Sequence, residues 1–443
     1  MQKQVNNVPA LVYPYETVCG YGAVRSIYMA DRSVPIIGLN HRHSFMSSSR
    51  LFQARRCPDP AREPEHFVSF LVDLGKKVKK AVLFPCDDIS VFLISSNKKV
   101  LEEYYQYPYL EKDALFWGFD KWQMYLKARD LGIPVPRTLS LKDIADIDSW
   151  EGKLRFPVII KPIARFNMEG GKISKIHEFM HVYEYVKALV CHDQEELICR
   201  AKDVLSRGLE VIIQEEIPGL CETLFECKFY SDKSGSMRLF SSKKIRQFPA
   251  DFGICTFGEK IDCPEIESYT KSYVSAIGYK GIGETEFKYD ARDGAYKFLE
   301  LNPRSNHWMS LAAFRGMNFV AMQYQEYSGL SIGEYKANKL KTKWFYIKGE
   351  LEYLAAYSLD KKSIYHLPFF TQIRSLATRE AVEAVLSWED PFLSLTYAVI
   401  SVSMFIRRYI RKLICKITNI DISRHGITVK NNRKSEGAGK CRS

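Results

Sequence analysis

The motif ETEFKYDARDGAYKFLELNPR, residues Glu284–Arg304, contains two apolar-rich runs with a short polar turn between them. The first run is Glu284–Tyr289, the second is Tyr296–Leu301, and the turn that joins them ends in glycine. Runs of this kind on either side of a glycine-containing turn predict an antiparallel β-hairpin. The hairpin would place Glu286 and Glu300 side by side on adjacent strands.

Two neighbouring carboxylates in an apolar sheet indicate a bound cation, because they repel each other unless a positive charge lies between them. Asn302 projects from the same face as Glu300 and adds a neutral oxygen, and an oxygen-only set suits Mg²⁺ or Mn²⁺ on nucleotide phosphates. Arg304 follows at the next alternate position, where it can neutralise a transferred phosphoryl group. The alternative is a solvent-facing hairpin edge with ordinary acids, but Asn-Pro suits an edge poorly unless the carboxamide is used.

Two lysines upstream of the hairpin fit a phosphate site. The run FPVIIK, Phe156–Lys161, predicts a buried strand that ends in a lysine, and a charge in that position requires a partner. Lys121 opens the preceding helix and can reach the same phosphates. Taken alone, each lysine is better explained as a surface residue, so it is the acidic hairpin that favours a shared nucleotide site.

The first part of the chain alternates predicted strands and helices. Strands are predicted at Pro9–Tyr13, Val34–Gly38 and Ala81–Pro85, and helices at Gly20–Ala30, Phe67–Val78 and Asp87–Tyr104. This alternation predicts a parallel sheet with right-handed crossovers. The element Gly20–Gly22 (GYG) is a weak nucleotide signal, because it lacks the third glycine of the dinucleotide fingerprint.

In chain order the motifs are DK (120–121), GIPVP (132–136), PVIIKP (157–162), GG (170–171), IIQEEIPG (212–219), ETEF (284–287) and FLELNPR (298–304). This series resembles the ATP-grasp superfamily, and within it the carboxylate–amine ligases related to D-aspartate ligase and to the halves of the carbamoyl-phosphate synthase large subunit. The resemblance implies an α/β fold for the chain, with an ATP-grasp domain of the α+β type. A Rossmann-like pre-ATP-grasp domain would occupy residues 1–115, the ATP-grasp domain 116–330, and a helical extension with a basic tail 331–443.

The resemblance also implies the residues that would contact ATP. They are Lys121 and Lys161 at the phosphates, Gly170 and Gly171 in the flap over them, Gln214, Glu215 and Ile217 at the hinge that reads adenine, and Glu222 at the ribose hydroxyls. The implied metal ligands are Glu286, Glu300 and Asn302. The implied catalytic residues are Arg304, at the acyl-phosphate, and Arg246, at the carboxylate substrate or the phosphoryl group.

The implied activity is ATP-dependent activation of a carboxylate as an acyl-phosphate, which is then joined to an amine with Mg²⁺ or Mn²⁺ as the metal. The substrates would be small molecules or envelope precursors. The oligomeric state stays open between a monomer and a homodimer, although dimers are common among similar enzymes. Other ATP-grasp chemistry, such as carboxylation or carbamoyl transfer, stays an alternative. A nucleotide-binding regulatory protein without turnover is another.

Positive charge is concentrated near the end of the chain, where residues 407–443 carry +9 of the net charge of +12. A nucleic-acid enzyme more often carries its positive charge on the folded domain, so no nucleic-acid partner is expected.

The 11 cysteines are scattered without a C-x-x-C pair, and the first residues lack an apolar signal segment. Both features favour a cytoplasmic protein.

Residues 391–406, PFLSLTYAVISVSMFI, form an apolar run directly before Arg407 and Arg408. The run is shorter than the about 20 residues that a helix needs to cross a bilayer, and crossing would place the body outside, away from ATP. Two interpretations stay open. The run is either a helix packed on the catalytic body or an interfacial helix, with residues 391–416 on anionic lipid at the inner face of the membrane.

The segment His177–His181, HEFMH, matches H-E-x-x-H, a pattern in which two histidines bind zinc and the glutamate acts as a base. No motif for a third ligand follows. Polar residues on a surface helix are therefore a better interpretation than a metalloprotease.

Overall fold

The computed structural model describes residues 8–148, 155–163, 179, 183, 188–333, 339–418, 420–423 and 426–429. Its strands are β1 (Ala10–Tyr13), β2 (Ile36–Asn40), β3 (Gln53–Arg56), β4 (Ala81–Pro85), β5 (Tyr105–Gln106), β6 (Thr138–Leu141), β7 (Val158–Pro162), β8 (Leu189–Cys191), β9 (Val211–Glu215), β10 (Leu224–Ser231), β11 (Met237–Phe248), β12 (Ile254–Lys260), β13 (Gly281–Asp290), β14 (Ala295–Asn302), β15 (Lys343–Phe345), β16 (Ala381–Glu383), β17 (Ile420–Ser423) and β18 (Gly426–Val429). Its helices are α1 (Val18–Ala30), α2 (Pro64–Val78), α3 (Asp88–Ser96), α4 (Lys98–Leu101), α5 (Lys112–Phe119), α6 (Lys121–Asp130), α7 (Ala145–Asp148), α8 (Gln194–Ser206), α9 (Pro264–Ala276), α10 (Ser310–Phe314), α11 (Phe319–Ser328), α12 (Ile347–Tyr357), α13 (Phe369–Leu376) and α14 (Pro391–Thr418), with short 3-10 turns at Phe45–Ser48 and Cys221–Thr223.

Strands β1 to β5 form a parallel sheet in the order β3-β2-β1-β4-β5, which confirms the predicted alternation of strands and helices. Strands β1, β2 and β4 are buried along their whole length, as expected for parallel strands, which are normally covered on both faces. The sequence does not predict β3 or β5, because β3 (QARR) is a charged, largely exposed strand and β5 has only two residues. The predicted helix Asp87–Tyr104 is two helices, α3 and α4, separated at Asn97.

The GYG element has a packing role. Gly20 lies inside α1, where an added Cβ would come within 2.0 Å of the carbonyl oxygen of Pro14. Glycine therefore permits α1 to approach the turn that follows β1. Neither Gly20 nor Gly22 lines the main cavity described below.

Strands β6 to β9 form an antiparallel sheet in the order β6-β9-β7-β8. The predicted strand at Phe156–Lys161 is observed as β7, and the run VIIQ is observed as β9. Strand β7 is buried except for the half-buried Lys161. This sheet therefore presents one charged side chain from an apolar strand.

A seven-stranded sheet follows, in the order β14-β13-β10-β11-β12-β15-β16, antiparallel except for the last pair. Strands β13 and β14 are the predicted hairpin, and Glu286 lies directly opposite Glu300. The pairing shifts by one residue next to Glu286, because Phe287 pairs with Phe298 and Leu299 is left over as a bulge. The bulge lets Phe298 enter the core although it is two residues from Glu300.

The hydrophobic core runs through all three predicted segments of the chain. One cluster contains Ala10 and Val12 of β1 together with Trp308, Trp344 and Tyr397. The domain boundaries at residues 115 and 330 stay a prediction.

Helix α14 is the C-terminal helix predicted from the apolar run, and it is 28 residues long. Among the helices of the described chain, none combines the length and the apolar character needed to cross a bilayer. The HEFMH motif lies outside the described residues except for Phe179, which is buried.

Candidate active site

A cavity of about 860 Å³ lies between the two antiparallel sheets and the start of α3. Strands β7 and β9 line one side, strands β10, β11, β13 and β14 line another, and Asp87–Ile89 closes a third. Nine of the predicted site residues line it: Lys121, Lys161, Gln214, Glu215, Ile217, Glu286, Glu300, Asn302 and Arg304. The fold thus brings residues nearly 200 positions apart into one chamber.

Lys161 lies near the end of β7 and is held by the neighbouring strand. Its Nζ donates to Gln214 Oε1 at 3.2 Å, and Gln214 Nε2 donates to Thr138 Oγ1 at 2.8 Å. Burial, together with the nearby Lys121 cation, lowers the pKa of Lys161 to about 8. A half-buried ammonium with a neutral hydrogen-bond partner is suited to bind an anion such as a phosphate.

Lys121 is the first residue of α6, whose first turn is capped by the Asp120 side chain, an acceptor for Gln123 N–H at 2.9 Å. The Lys121 N–H donates to the Ile163 carbonyl at 2.8 Å, which ties α6 to the end of β7. Lys121 Nζ donates to Glu300 Oε2 at 2.6 Å. A phosphate bound here would compete with Glu300 for this lysine.

The predicted hinge residues follow one another at the end of β9. The Glu215 carboxylate is buried, accepts from Arg137 N–H at 2.9 Å and lies 3.4 Å from Arg292 Nη2. The negative charge of Glu215 is therefore balanced by groups of the protein itself. Ile217 is buried and gives the cavity an apolar surface.

Glu222, the residue predicted at the ribose hydroxyls, lies apart from the other predicted site residues. This residue is exposed in the 3-10 turn Cys221–Thr223 and does not line the cavity, although Cys221 and Leu224 on either side do. Gly170 and Gly171, the predicted flap residues, lie outside the described residues.

Carboxylates from three adjacent strands form a row on the cavity wall. Glu226 on β10 lies opposite Glu286 on β13, and Glu300 on β14 lies opposite Glu286 on its other side. Carboxylate oxygens of Glu226, Glu284 and Glu286 all lie within 4.8 Å of one another. The predicted pair of acids is therefore part of a group of four.

Two buried lysines balance this negative charge. Lys244 Nζ lies 3.0 Å from Glu286 Oε2 and 3.5 Å from Glu226 Oε1, and Lys228 Nζ lies 3.0 Å from Glu226 Oε2. Burial alone would lower the pKa of Lys244, but the Glu286 and Glu226 charges outweigh it and raise that pKa. Burial raises the pKa of Glu226, but Lys228 and Lys244 outweigh it and lower that pKa to about 2.

Glu284 behaves differently from its neighbours. Burial and the Glu226 charge raise the pKa of Glu284 well above its ordinary value. Its Oε1 accepts from Asn302 Nδ2 at 2.9 Å, whereas its buried Oε2 has no hydrogen-bond partner among the described residues. The raised pKa favours the neutral, protonated form of Glu284, so this carboxyl group has to lose its proton before the oxygen can bind a cation.

Asn302 and Arg304 continue the line of cavity residues beyond β14. The Asn302 amide nitrogen, rather than its oxygen, faces the acids, and rotation of the amide by half a turn exchanges the two atoms. Arg304 Nε donates to Asp88 Oδ1 at 2.6 Å and its Nη2 lies 3.4 Å from Asn302 Oδ1. Burial would lower the pKa of Arg304, but Asp88 outweighs it and raises that pKa, so a fixed cation faces the cavity.

The donor set fits a hard divalent cation. Glu286 belongs both to the predicted ligand set and to the observed acidic cluster, and Glu284 Oε2 is buried without a described partner. Clustered carboxylate oxygens suit Mg²⁺ or Mn²⁺.

Arg246, the residue predicted at the carboxylate substrate or the phosphoryl group, does not line the cavity. Its guanidinium lies 2.8 Å from Glu350 Oε2 on α12 and donates to Ser375 Oγ at 2.9 Å. The reason is a β-bulge at Ile245. At this point β11 contains one more residue than the segment of β12 with which it pairs. The bulge reverses the alternation of side chains, so that Lys244 and Gln247 line the cavity and Arg246 faces away from it.

The sequence analysis missed Glu226, Lys244 and Asp88. One signal was present in β10, where Glu226 and Lys228 occupy the same face of an otherwise apolar strand (LFECKFYS). Charged residues two apart in a buried strand indicate a partner or a site. Asp88 carries no such signal, because only the tertiary fold brings the start of α3 to Arg304.

Comparison with known proteins finds ligases among the similar sequences. No family model matches the chain. The chain is 24% identical over 320 residues to the D-aspartate ligase of Enterococcus faecium, an alignment that covers 68% of this chain and 70% of the relative. It is 22% identical over 195 residues to the carbamoyl phosphate synthase large chain of Methanothrix thermoacetophila, covering 43% of this chain and 17% of the relative.

Solved structures share the fold at low sequence identity. N5-carboxyaminoimidazole ribonucleotide synthetase in its ADP complex superimposes with a TM-score of 0.56 at 14% identity, over 80% of this chain and 84% of that one. The L-amino acid ligase of Bacillus licheniformis superimposes with a TM-score of 0.54 at 15% identity, over 74% of this chain and 75% of that one. The lysine pair, the acidic row and these similarities lead to one conclusion: the chain resembles the carboxylate–amine ligases of the ATP-grasp superfamily in sequence and in fold.

Proposed function

We propose that this protein uses ATP to convert a carboxylate into an acyl-phosphate and then joins the acyl group to an amine. The observation that carries this proposal is the single cavity in which two lysines face a row of carboxylates with a fixed arginine beside it. D-aspartate ligase, which this chain matches over 320 residues, points to the same kind of reaction.

The chemistry explains why these groups are needed together. A carboxylate is a poor electrophile at neutral pH, and transfer of the terminal phosphoryl group of ATP to its oxygen releases ADP and gives a mixed anhydride. The amine nitrogen then attacks the acyl carbon, the C–N bond forms and phosphate leaves. Lys121 and Lys161 would hold the triphosphate, and Arg304 would stabilise the charge on the transferred group.

Asp88 would position Arg304 for this step. The Nε of Arg304 is held at 2.6 Å by the Asp88 carboxylate, which leaves the other edge of the guanidinium toward Asn302 and the cavity. A fixed cation stabilises developing charge better than a mobile one, because no reorganisation is needed when the charge appears.

The acidic row suits Mg²⁺ better than a softer metal, since every ligand atom it offers is a carboxylate or amide oxygen. We propose Mg²⁺ as the ion, held mainly by Glu286 and Glu300, and bound metal would neutralise phosphate charge. Glu284 and Glu226 would lie beside the ion and set the net negative charge that surrounds it.

We propose small-molecule or envelope-precursor substrates, by analogy with D-aspartate ligase and the L-amino acid ligase. Three interpretations of the sequence belong to the same proposal. The enzyme would work in the cytoplasm, two copies would associate, and residues 391–416 would contact the inner face of the membrane.

The proposal is tested by incubating the protein with ATP, Mg²⁺ and pools of amino acids and dipeptides while ADP and phosphate release are measured. We expect release that requires both a carboxylate and an amine, and a product whose mass is that of the two substrates minus water. The Glu300→Gln variant is the matched control, because it removes one charge from the acidic row and keeps the size of the side chain.

Two outcomes would overturn the proposal. A carboxylated or carbamoylated product would assign the alternative chemistry. Tight ADP binding without release of ADP from ATP in any pool would favour a nucleotide-binding regulatory protein.

A further inference from the structure

The outward face of α14 carries a continuous apolar stripe. Seven side chains spaced three or four residues apart are between 39% and 66% exposed: Phe392, Leu395, Val399, Val402, Ile406, Ile410 and Leu413. Residues at this spacing lie on one face of a helix. At 1.5 Å per residue the stripe is roughly 30 Å long.

The stripe is not the face by which α14 packs on the body. Leu393, Tyr397 and Ser401 are almost completely buried on the opposite side. The Tyr397 hydroxyl accepts from the backbone N–H of Lys348 on α12 at 3.3 Å, and Lys412 Nζ donates to the Ala356 carbonyl near the end of that helix. The inner face therefore fixes the helix, and the stripe is left facing outward.

The charges on and after α14 indicate what covers the stripe. The segment Pro391–Thr418 contains no aspartate or glutamate, and its second half carries Arg407, Arg408, Arg411, Lys412 and Lys416. Residues 407–443 together carry +9. An apolar stripe next to a basic segment is the combination that binds anionic lipid, because either signal alone gives only weak attachment.

An exposed tryptophan adds to this pattern. Trp388 is 97% exposed in the turn that leads into α14. Tryptophan is favoured at the boundary between lipid headgroups and acyl chains, where its ring is in contact with both.

We propose that α14 docks the protein on a membrane surface that contains anionic lipid. The stripe would lie among the upper parts of the acyl chains, parallel to the membrane, and exposed basic residues such as Arg407 would contact the headgroups. The inner face would stay on α12 throughout. This proposal does not depend on the reaction that the cavity catalyses.

The test is flotation of the whole protein with vesicles of phosphatidylcholine, either pure or with about 30 mol% phosphatidylglycerol. We expect the protein to float with the anionic vesicles at about 50 mM NaCl, and binding to weaken several-fold at about 300 mM because salt screens the basic segment. Little protein should float with pure phosphatidylcholine.

Matched variants distinguish binding through the stripe from the effect of a new charge elsewhere on the protein surface. Leu395→Glu with Val402→Glu should reduce binding to anionic vesicles at least tenfold, because two charges enter the stripe. Val100→Glu on α4 is the control, since Val100 and Val402 are 48% and 47% exposed. It should float like the unchanged protein, and circular dichroism should show that all three proteins are equally folded.

The proposal is wrong if the unchanged protein does not float with anionic vesicles at either salt concentration, or if the stripe variant floats as well as the control. Sedimentation equilibrium without vesicles adds a third outcome. If the stripe change separates a dimer into monomers and vesicle binding is absent, a second copy of this chain covers the stripe.

Discussion

Lys161 is a cavity residue whose surroundings move its pKa toward neutrality. Burial and the Lys121 cation lower its pKa to about 8, whereas an exposed lysine loses its proton only near pH 10. A phosphate bound beside Lys161 would favour the charged form. Nucleotide binding and protonation of this lysine are therefore coupled.

The first prediction concerns this coupling. Above pH 8 the free protein has lost the proton from part of its Lys161, so binding of ADP should take up a proton, and affinity should fall by up to about tenfold per pH unit. Titration calorimetry in buffers with different ionisation enthalpies measures the proton uptake. Lys161→Arg should abolish the uptake because arginine stays charged, and an unchanged uptake in that variant would contradict the assignment.

The second prediction concerns the metal ligands. Glu300→Gln should abolish ATP turnover while the fold stays intact, because the row loses a charge that opposes Lys121 and holds the metal. Glu286→Gln should weaken Mg²⁺ or Mn²⁺ binding at least tenfold. ADP release and titration with Mn²⁺ followed by electron paramagnetic resonance check the two effects. Normal ADP production by a purified Glu300→Gln variant would contradict the metal site.

At the scale of single elements, two β-bulges decide which side chains face the cavity. The bulge at Leu299 separates Glu300 from the core residue Phe298, and the bulge at Ile245 turns Arg246 away from Lys244. A regular strand would present residues two apart on the same face. A single extra residue therefore changes the composition of the site.

The third prediction tests the second of these bulges. Arg246→Met should lower the free energy of unfolding by about 3–5 kcal/mol, because the buried Glu350 carboxylate loses its partner. The affinity of the folded protein for ADP should change less than about twofold, because Arg246 does not line the cavity. For comparison, a tenfold loss of affinity corresponds to about 1.4 kcal/mol of binding free energy. Urea unfolding and titration calorimetry measure the two quantities.

The double variant Arg246→Met with Glu350→Met is the control for this experiment. It should recover most of the lost stability, because neither charge is then buried alone. A folded Arg246→Met protein that binds ADP normally but no longer forms acyl-phosphate would instead restore the catalytic role predicted for Arg246.

At the scale of the whole molecule, the segment around α14 is tied to the first sheet and its helices. Asp390 is almost completely buried and accepts from the Tyr21 hydroxyl at 3.0 Å and from the Ser49 hydroxyl. Arg25 Nη1 donates to the carbonyls of Glu383 and Ala384 at 3.0 and 2.7 Å. The two ends of the described chain are thus held together by buried polar contacts.

The fourth prediction follows from these contacts. Asp390→Ala should lower the free energy of unfolding by about 3 kcal/mol, because it leaves the buried hydroxyls of Tyr21 and Ser49 without an acceptor. Glu389→Ala, which removes only the surface pair with Arg32, should cost less than about 1 kcal/mol. Urea unfolding should show a single transition in both variants. Equal losses would contradict the structural role of Asp390.

The local pattern of the chain was enough to predict the parallel sheet, the hairpin of Glu286 and Glu300, and the buried strand that ends in Lys161. These features depend on the alternation of apolar and polar residues and on turn residues, which act over a few positions. The resemblance to ATP-grasp proteins, carried by the ordered motifs, is confirmed by the fold and by the relatives.

Other features depend on contacts between distant segments, and only the tertiary structure decides them. The row of four acids forms only because β10 lies beside β13. Asp88 reaches Arg304 across more than 200 positions of the chain. The bulge at Ile245 removes Arg246 from the cavity. The alternation within one strand does not specify its neighbours or the position of an extra residue, because strand pairing and bulges are set by packing across the whole sheet.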